Sequence, residues 1–364
     1  MSIRITLTDA ELPPSVAFVD FVDAWLAGDG FDGSSWATPG AERTEPLGGA
    51  PGDSDRGELT ERISATDEGR RLLARSYDLF VALLIGDPVP IRALRKRLQF
   101  ALVVGIPRTG GKYLTKALLR ATGHEPTTVP AVLAHDGVPD AGPWRFDRHG
   151  NGWVESLHSM AEYLTMAEAF FGPGAGARDA RPVIVPKKAT KLAYAAGLHA
   201  SALGPVAAGV LTVRHPVPTC LSTAETGGGL PADGHFTVRN NIERFCARDV
   251  MDQGVTRDDL AALPYFDVYL RYWEAYHLRL AMSAGVVGRF RIVAYGAQRY
   301  AALSGELAAV LGAEPATPEP FIATDDRDAD PAWMAQAEPV VDRVADVWER
   351  VGLAFPRDDV KEAR

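Results

Sequence analysis

The sequence predicts an α/β protein, a three-layer fold in which helices flank a central parallel sheet. Four short apolar runs are typical of buried strands and lie at 98–104, 182–185, 208–213 and 289–295. Segments with apolar residues at helical spacing separate these runs. Because strands that alternate with helices form βαβ units, this order predicts parallel strands.

Residues 1–95 are predicted to be a helical N-terminal extension. Segments 15–27 and 67–84 each carry an apolar stripe typical of an amphipathic helix. The stretch between them, about 28–57, is dense in Gly, Pro, Ser, Asp and Glu, which predicts a linker. The stripe of the second helix, which should pack in the core, consists of Leu73, Tyr77, Phe80 and Leu84.

Residues 96–312 are predicted to form the α/β core, and residues 313–364 a C-terminal helical tail. The tail should contain a helix near 332–351, interrupted by Pro339. A long Pro-rich loop is expected at 124–154. The helices expected in the core lie at 111–122, 156–170, 190–203, most of 236–284, and 297–311.

The first strand runs into a Gly-containing turn that opens a helix, Gly105-Ile-Pro-Arg-Thr-Gly-Gly-Lys-Tyr113. This arrangement points backbone N–H groups at one spot, where the helix dipole favours negative charge. Arg108 and Lys112 add two positive charges. The segment is therefore expected to bind a phosphate or sulfate through Arg108, Thr109, Gly110, Gly111, Lys112 and Tyr113.

This turn differs from a Walker A loop, which needs Gly, four residues, and then Gly-Lys-Ser/Thr. Gly105 and Gly110 have the required spacing, but Gly111 occupies the position of the lysine. Lys112 comes one position late, and Tyr113 cannot supply the hydroxyl that binds Mg²⁺.

A second strand–helix junction carries Arg214 and Ser222. Arg214 follows the apolar run 208–213, and Ser222 lies in the early turns of a helix started by Pro216 or Pro218. An arginine offers a planar fork of donors to phosphate oxygens, and a hydroxyl near a helix N-terminus adds another donor. Both motifs lie at the carboxyl ends of predicted strands, where ligands of parallel sheets bind.

Together these segments resemble sulfotransferases that use 3′-phosphoadenosine 5′-phosphosulfate (PAPS), in their bacterial, tyrosylprotein-sulfotransferase-like branch. The family pattern Pro-Lys/Arg-Ser/Thr-Gly-Thr-Thr is matched by Pro107-Arg-Thr-Gly110, with Gly111-Lys112 in place of Thr-Thr. The family's Arg-x-Pro, with a Ser eight residues after the Arg, is matched by Arg214 and Ser222. The resemblance implies a P-loop-like fold. It also implies PAPS as donor, 3′,5′-ADP as product and no metal, with the 3′-phosphate held by Arg214 and Ser222.

Two weaker segments extend the resemblance over about residues 100–312. Lys187 falls on the family lysine that follows the next strand, with Lys188-Ala189 in place of its Ser-Pro. Tyr295 falls on the family tyrosine near the adenine. The resemblance therefore implies that Lys187 reaches the sulfonate and that Tyr295 contacts the nucleotide.

The acceptor hydroxyl needs a general base, and the long loop offers several. We favour His135, because the adjacent Asp136 is expected to raise its basicity. The rivals in the same loop are His124, Glu125, Asp136 and Asp140.

Composition limits the partners. The formal charge of −9 argues against a nucleic-acid partner and leaves room for a local basic pocket. No His, Cys or carboxylate cluster has metal-ligand spacing. The two cysteines, the lack of a signal-peptide pattern in residues 1–13 and the lack of a long apolar stretch predict a cytoplasmic protein without a membrane span. The expected acceptor is a small molecule, sugar, lipid or peptide that bears a hydroxyl.

Two other functions remain open. A P-loop kinase or NTPase would need Lys at position 111, a Ser or Thr after it, and a strand that ends in a metal-binding Asp. Here the corresponding strand ends at Arg214. A non-catalytic nucleotide-binding protein would keep Arg214 and Ser222 and tolerate the loss of any base.

Overall fold

The computed structural model describes residues 13–28, 53–136, 139, 152–172, 182–312, 320–321 and 330–362. Among these residues, four strands form one sheet: β1 (Leu98–Val104), β2 (Val183–Lys188), β3 (Ala208–Val213) and β4 (Arg291–Ala294). The strands are all parallel, in the order β2-β1-β3-β4. The predicted parallel sheet is therefore confirmed, and β1 and β3 have the predicted bounds.

Both faces of this sheet are covered. Successive side chains of a strand point to opposite faces. Phe100, Leu102 and Val104 of β1 join the larger apolar cluster, and Ala101 and Val103 join a smaller one. The described part of the chain is thus a three-layer α/β structure with β1 near its centre.

The described helices precede, connect and follow the strands. Short 3₁₀ turns occur at Pro126–Thr128 and Thr190–Ala193. The α-helices are α1 (Val16–Ala27), α2 (Asp53–Ser64), α3 (Asp67–Ile85), α4 (Pro88–Arg95), α5 (Gly111–Ala121), α6 (Ala131–Ala134), α7 (Gly152–Phe171), α8 (Ala196–Ala202), α9 (Pro216–Thr226), α10 (Asn241–Asp252), α11 (Arg257–Ala262), α12 (Tyr265–Val287), α13 (Ala297–Val310), α14 (Pro331–Arg350) and α15 (Arg357–Glu362).

The N-terminal and C-terminal helices share the core of the α/β region. The backbone N–H at Ser15, which caps α1, donates to Glu162 of α7 at 2.7 Å. Trp348 of α14 is fully buried, and its indole N–H donates to the carbonyl of His277 in α12 at 2.9 Å. One continuous apolar cluster therefore contains residues from α1, the sheet and α14. Of the described helices, none is long and apolar enough to cross a membrane.

The predicted linker ends earlier than expected. Helix α2 begins at Asp53, inside the predicted linker of 28–57, while residues 29–52 lie outside the described residues. The segment DSDRGELTERIS is mostly polar, and its two apolar residues, Leu59 and Ile63, are too few to reveal a helical period.

Helix α3 buries a different stripe from the predicted one. Phe80 is buried as expected, but Tyr77 is 63 % exposed. Leu72, Ser76 and Leu79 are buried instead, because α3 packs against α7 on a face rotated by about one residue.

Two predicted helices differ in continuity. The segment 190–203 is a 3₁₀ turn followed by α8, and Ala195 between them leaves the helical conformation with φ −139°. Helix α14 runs through Pro339 without a break. Pro339 and Ala335, whose carbonyl loses its helical donor to the proline, are both exposed. Water can therefore replace the missing hydrogen bond.

Candidate functional site

A cavity of ≈ 410 Å³ lies at the carboxyl ends of β1, β2 and β3, against the N-terminus of α5. It brings together most of the residues singled out in the sequence. Those that line it are Arg108, Gly110, Gly111, Lys112, Tyr113, His135, Arg214, Ser222 and Tyr295. Thr109 and Lys187 do not line it, and neither do the alternative bases His124 and Glu125.

The loop after β1 is held tightly against β3. A Cβ placed on Gly105 would come within 2.1 Å of the Thr212 hydroxyl oxygen, so this position needs glycine. The buried Thr109 hydroxyl lies 2.7 Å from the Thr212 hydroxyl and donates to the Ile106 carbonyl at 2.7 Å. Thr109 therefore fixes the loop with its side chain rather than lining the cavity.

Helix α5 begins at the cavity without a side-chain cap. Its N-cap is Gly110, with φ 75°. Because glycine has no side chain, it cannot accept a hydrogen bond from the N–H groups of the first turn. A Cβ at Gly110 would lie 2.3 Å from the ring of Tyr300, which explains the absence of a larger residue. The first turn of α5, with its partial positive charge, thus faces the cavity together with Lys112.

The two sequence motifs meet directly. The Arg108 Nε donates to the Ser222 hydroxyl at 2.9 Å, across 114 positions of sequence. The Arg214 guanidinium donates to the Arg108 carbonyl at 3.2 Å and lies 4.0 Å from the centroid of the Tyr295 ring. Arg214 is only 1 % exposed, and its own carbonyl accepts from the Trp273 indole at 3.0 Å. These contacts fix Arg214 and Ser222 beside residues 105–110, the loop that the sequence predicts to bind an anion, called the anion loop below.

The placement of Lys187 differs from the expectation that it reaches a bound sulfonate. Lys187 faces α7, with its Nζ 4.7 Å from the centroid of the Tyr163 ring and bonded to the His135 carbonyl. Burial lowers the pKa of Lys187 to about 7. Since successive side chains of β2 alternate between faces, Lys188 is the lysine of β2 that lines the cavity.

Lys188 is ion-paired with Asp136 at the edge of the cavity. The Asp136 carboxylate also accepts from the Thr190 N–H at 2.7 Å and lies 2.6 Å from the Thr190 hydroxyl. Burial alone would raise the pKa of Asp136. The charge of Lys188 and the hydrogen bonds from Lys188 and Thr190 hold it well below its usual range. Asp136 is therefore held in its charged form.

His135 lines the cavity, and its pKa is lowered rather than raised. Burial is the main cause and Lys188 the next, and together they bring the pKa to about 3 despite the opposing charge of Asp136. Asp136 does raise the pKa of His135, as expected, but burial and Lys188 lower it by more. The neutral ring can accept a proton.

Of the four other candidate bases, Asp136 lines the cavity, and the remaining three lie elsewhere or outside the described residues. His124 packs against Phe171, with 5.0 Å between ring centroids, and Glu125 lies 3.9 Å from Arg120. Neither lines the cavity. Asp140 lies outside the described residues.

Several lining residues had not been singled out for the site. Lys116 lies one helical turn after Lys112, and Lys191 is in the lysine-rich segment after β2, so both had a signal in the sequence. Phe321 had none, because it lies beyond the predicted boundary at 312. It contacts Tyr113 and Tyr295 at centroid distances of 4.9 and 5.2 Å. The others are Thr190 and three residues of α10, Asn241, Ile242 and Phe245.

The cavity is cationic within an acidic chain. Among its described lining residues, six carry positive charge: Arg108, Lys112, Lys116, Lys188, Lys191 and Arg214. Asp136 is the carboxylate among them, in a protein of formal charge −9. A cationic cleft next to aromatic side chains is suited to an anionic ligand with an aromatic group.

Within the described residues, no three His, Cys, Asp or Glu side chains are grouped so that they could hold a metal ion. Comparison of the chain with protein-family models, with curated proteins and with solved structures found no match.

Proposed function

We propose that this chain is a PAPS-dependent sulfotransferase that moves a sulfonate group to a hydroxyl of an acceptor. The observation that carries the proposal is the meeting of Arg108, Ser222 and Arg214 at one cationic cavity. The first motif contributes Arg108 and the second contributes Arg214 and Ser222. The sequence predicts that these motifs contact the two ends of one nucleotide, and the three residues are adjacent in space. The proposed acceptor is a small molecule, sugar, lipid or peptide that bears a hydroxyl.

The donor would be held at both of its anionic ends. In this proposal, the first turn of α5, Arg108 and Lys112 hold the 5′-phosphosulfate. Lys188, rather than Lys187, reaches the sulfonate. Arg214 and Ser222 hold the 3′-phosphate. Tyr295 contacts the adenine, and the neighbouring Tyr113 and Phe321 extend that aromatic wall.

The reaction would be an in-line displacement at sulfur. The acceptor oxygen forms a bond to sulfur, the bond from sulfur to the bridging phosphate oxygen breaks, and 3′,5′-ADP leaves. Charge grows on that bridging oxygen, where each fixed donor or cation would contribute about 3–4 kcal/mol. His135 would take the acceptor proton. A bound anion near Lys188 would weaken the effect of that lysine on the imidazole and raise the pKa of His135.

The proposal also includes a cytoplasmic location. Its support is that Cys220 and Cys246 are both buried and free, as suits a reducing compartment.

Titration calorimetry with 3′,5′-ADP, 5′-ADP and ATP, each with and without Mg²⁺, tests the nucleotide. We expect 3′,5′-ADP to bind at least about tenfold more tightly than the other two, without Mg²⁺, because a charged phosphate contact is worth about 1.5–3 kcal/mol. Radiolabelled PAPS with 4-nitrophenol, N-acetylglucosamine or a tyrosine peptide as probe acceptors tests the transfer. Tighter, Mg²⁺-dependent binding of ATP would favour the kinase or NTPase alternative. Binding of 3′,5′-ADP with no transfer to these probes or to water would favour the non-catalytic alternative.

A further inference from the structure

Two adjacent lysines of β2 hold the same turn of the chain from opposite faces. Lys187 pairs in register with Leu102 of β1, and Lys188 with Val103. Lys187 faces α7 through Tyr163, whereas Lys188 passes close to Gly111 at the start of α5. Between them lies the turn His135–Asp136, which follows α6 and carries the imidazole that lines the cavity.

On the α7 side, Lys187 completes the C-terminal end of α6. The last carbonyls of a helix have no partner inside the helix. Here the Lys187 ammonium donates to the carbonyls of Val132, at 3.4 Å, and His135. The Tyr163 hydroxyl donates to the Leu133 carbonyl at 3.2 Å. Since Lys187 is 1 % exposed, few other conformations are open to this side chain.

On the cavity side, Lys188 and Thr190 hold Asp136. The carboxylate is paired with the Lys188 ammonium and accepts from the Thr190 backbone at 2.7 Å. Thr190 in turn is anchored by Tyr276, whose hydroxyl donates to its carbonyl at 2.9 Å. The Thr190 hydroxyl also lies 2.9 Å from the carbonyl of Gly105, where the anion loop starts.

We infer that Lys187 is a positioning residue, which holds the backbone of His135 from the α7 side so that the imidazole stays in the cavity, while Lys188 holds the same turn from the cavity side and contacts the bound anion. This inference rests on the proposed function, because it gives His135 a part in proton transfer. It assigns different functions to two neighbouring lysines that their sequence alone does not distinguish.

A pair of matched variants separates the two functions. Methionine has an unbranched side chain that fills much of the same space but cannot donate a hydrogen bond. In Lys187→Met, calorimetry should show 3′,5′-ADP affinity within about twofold of the wild type, with kcat from PAPS to 4-nitrophenol lowered about tenfold or more. In Lys188→Met, 3′,5′-ADP should bind about tenfold more weakly, the change expected for one lost charged contact. Lys96→Met, at an exposed site of the same residue type, is the control and should match the wild type.

A spectroscopic readout tests the positioning without any transfer reaction. The ring-proton signal of His135, assigned by its loss in His135→Gln, should shift in nucleotide-free Lys187→Met and stay in place in Lys96→Met. Tyr163→Phe leaves all charges in place and removes only the hydrogen bond to Leu133. It should move the His135 signal and lower kcat in the same direction by a smaller factor, and it replaces Lys187→Met if that variant does not fold.

Two results would overturn the inference. If Lys187→Met weakens 3′,5′-ADP binding as much as Lys188→Met, Lys187 contacts the ligand. If Lys187→Met and Tyr163→Phe both keep the wild-type kcat and the wild-type His135 signal, the turn needs no such support. A wild-type protein that transfers no sulfonate rejects the proposed function instead, and the His135 signal still decides whether Lys187 positions the ring.

Discussion

Arg108 has a backbone φ of 72°, in the left-handed region that residues other than glycine seldom occupy. A conformation of this kind costs about 1–3 kcal/mol and persists only where the surroundings hold it. Here the side chain donates to Ser222 and the carbonyl accepts from Arg214. The same strained residue therefore connects the anion loop to the pair proposed to hold the 3′-phosphate.

Arg214→Ala should abolish the preference for a 3′-phosphate. The buried guanidinium is the proposed contact for that group, so the variant should bind 3′,5′-ADP and 5′-ADP with affinities within about twofold of each other. Weak binding of the 5′-phosphate through the loop at Arg108 should remain. Calorimetry with both nucleotides measures this, and the exposed Arg92→Ala serves as control. A variant that still prefers 3′,5′-ADP tenfold would place the 3′-phosphate elsewhere.

His135→Ala should lower kcat by about 10² while leaving 3′,5′-ADP affinity nearly unchanged, because a general base contributes about that factor.

The pH dependence of kcat/KM follows from the pKa of His135. Since burial and Lys188 bring the pKa of free His135 to about 3, the imidazole is already neutral at pH 5 to 6. Activity that depends on the neutral ring is lost only as pH falls toward that value, so kcat/KM for PAPS, which reports the enzyme before the nucleotide binds, should show no acid limb near pH 6.5. An acid limb near pH 6.5 that vanishes in His135→Ala would contradict the lowered pKa, and a wild-type rate in His135→Ala would move the proton transfer to another residue.

At the scale of elements, the junction between β1 and α5 depends on how closely β1 approaches β3. Gly105→Ala would place a methyl group 2.1 Å from the Thr212 hydroxyl oxygen and 2.7 Å from its carbonyl oxygen. We expect a loss of about 1–3 kcal/mol in the free energy of unfolding, as for overpacked cores. Gly305→Ala is the matched control, because that site in α13 is exposed and has nothing within 4 Å of a new Cβ. It should stabilise by about 0.5–1 kcal/mol. Urea unfolding measures both, and equal effects would contradict the packing at Gly105.

The same junctions show what the sequence could predict. β1 and β3 are continuous apolar runs because parallel strands are buried on both faces, and this gave their bounds correctly. The two motifs at their carboxyl ends were therefore expected at one edge of the sheet. The orientation of Lys187 was missed because the predicted strand ended at Val185, whereas β2 continues to Lys188. Only the register of β2 on β1 determines which lysine faces the cavity. Phe321 could not be predicted, since a contact across two hundred positions leaves no local pattern.

At the scale of the whole molecule, the cationic cavity and the acidic surface have different effects. The chain carries a formal charge of −9, so long-range repulsion of an anionic donor is expected at low ionic strength. Close to the cavity, the charges of Arg108, Lys112 and Arg214 should dominate, because exposed charges are screened beyond about 8–10 Å in physiological salt. Binding of an anion should therefore depend on the few side chains at the sheet edge rather than on net charge.

The folded protein should lose stability as pH falls from about 6.5 to 4. Burial lowers the pKa of His199 and His277 to about 4 and contributes most to the value of about 3 for His135. In this window the unfolded chain binds protons that the folded chain does not, so each group reduces the free energy of unfolding by up to about 1.4 kcal/mol per pH unit. Asp249 opposes them, because burial raises its pKa to about 6 and its folded form takes up a proton first.

The histidines outnumber that one carboxyl group, so we expect a net loss of stability in urea unfolding at pH 4.5 compared with pH 6.5. His199 is 1 % exposed, and replacing it removes one of the groups that must gain a proton on unfolding. His199→Gln should therefore show a smaller difference between the two pH values than the wild type. His235→Gln, at an exposed histidine, should keep the wild-type difference. Wild-type stability that rises on acidification, or a His199→Gln variant with the full pH dependence, would contradict this explanation, because neither agrees with buried neutral histidines as the source of acid sensitivity.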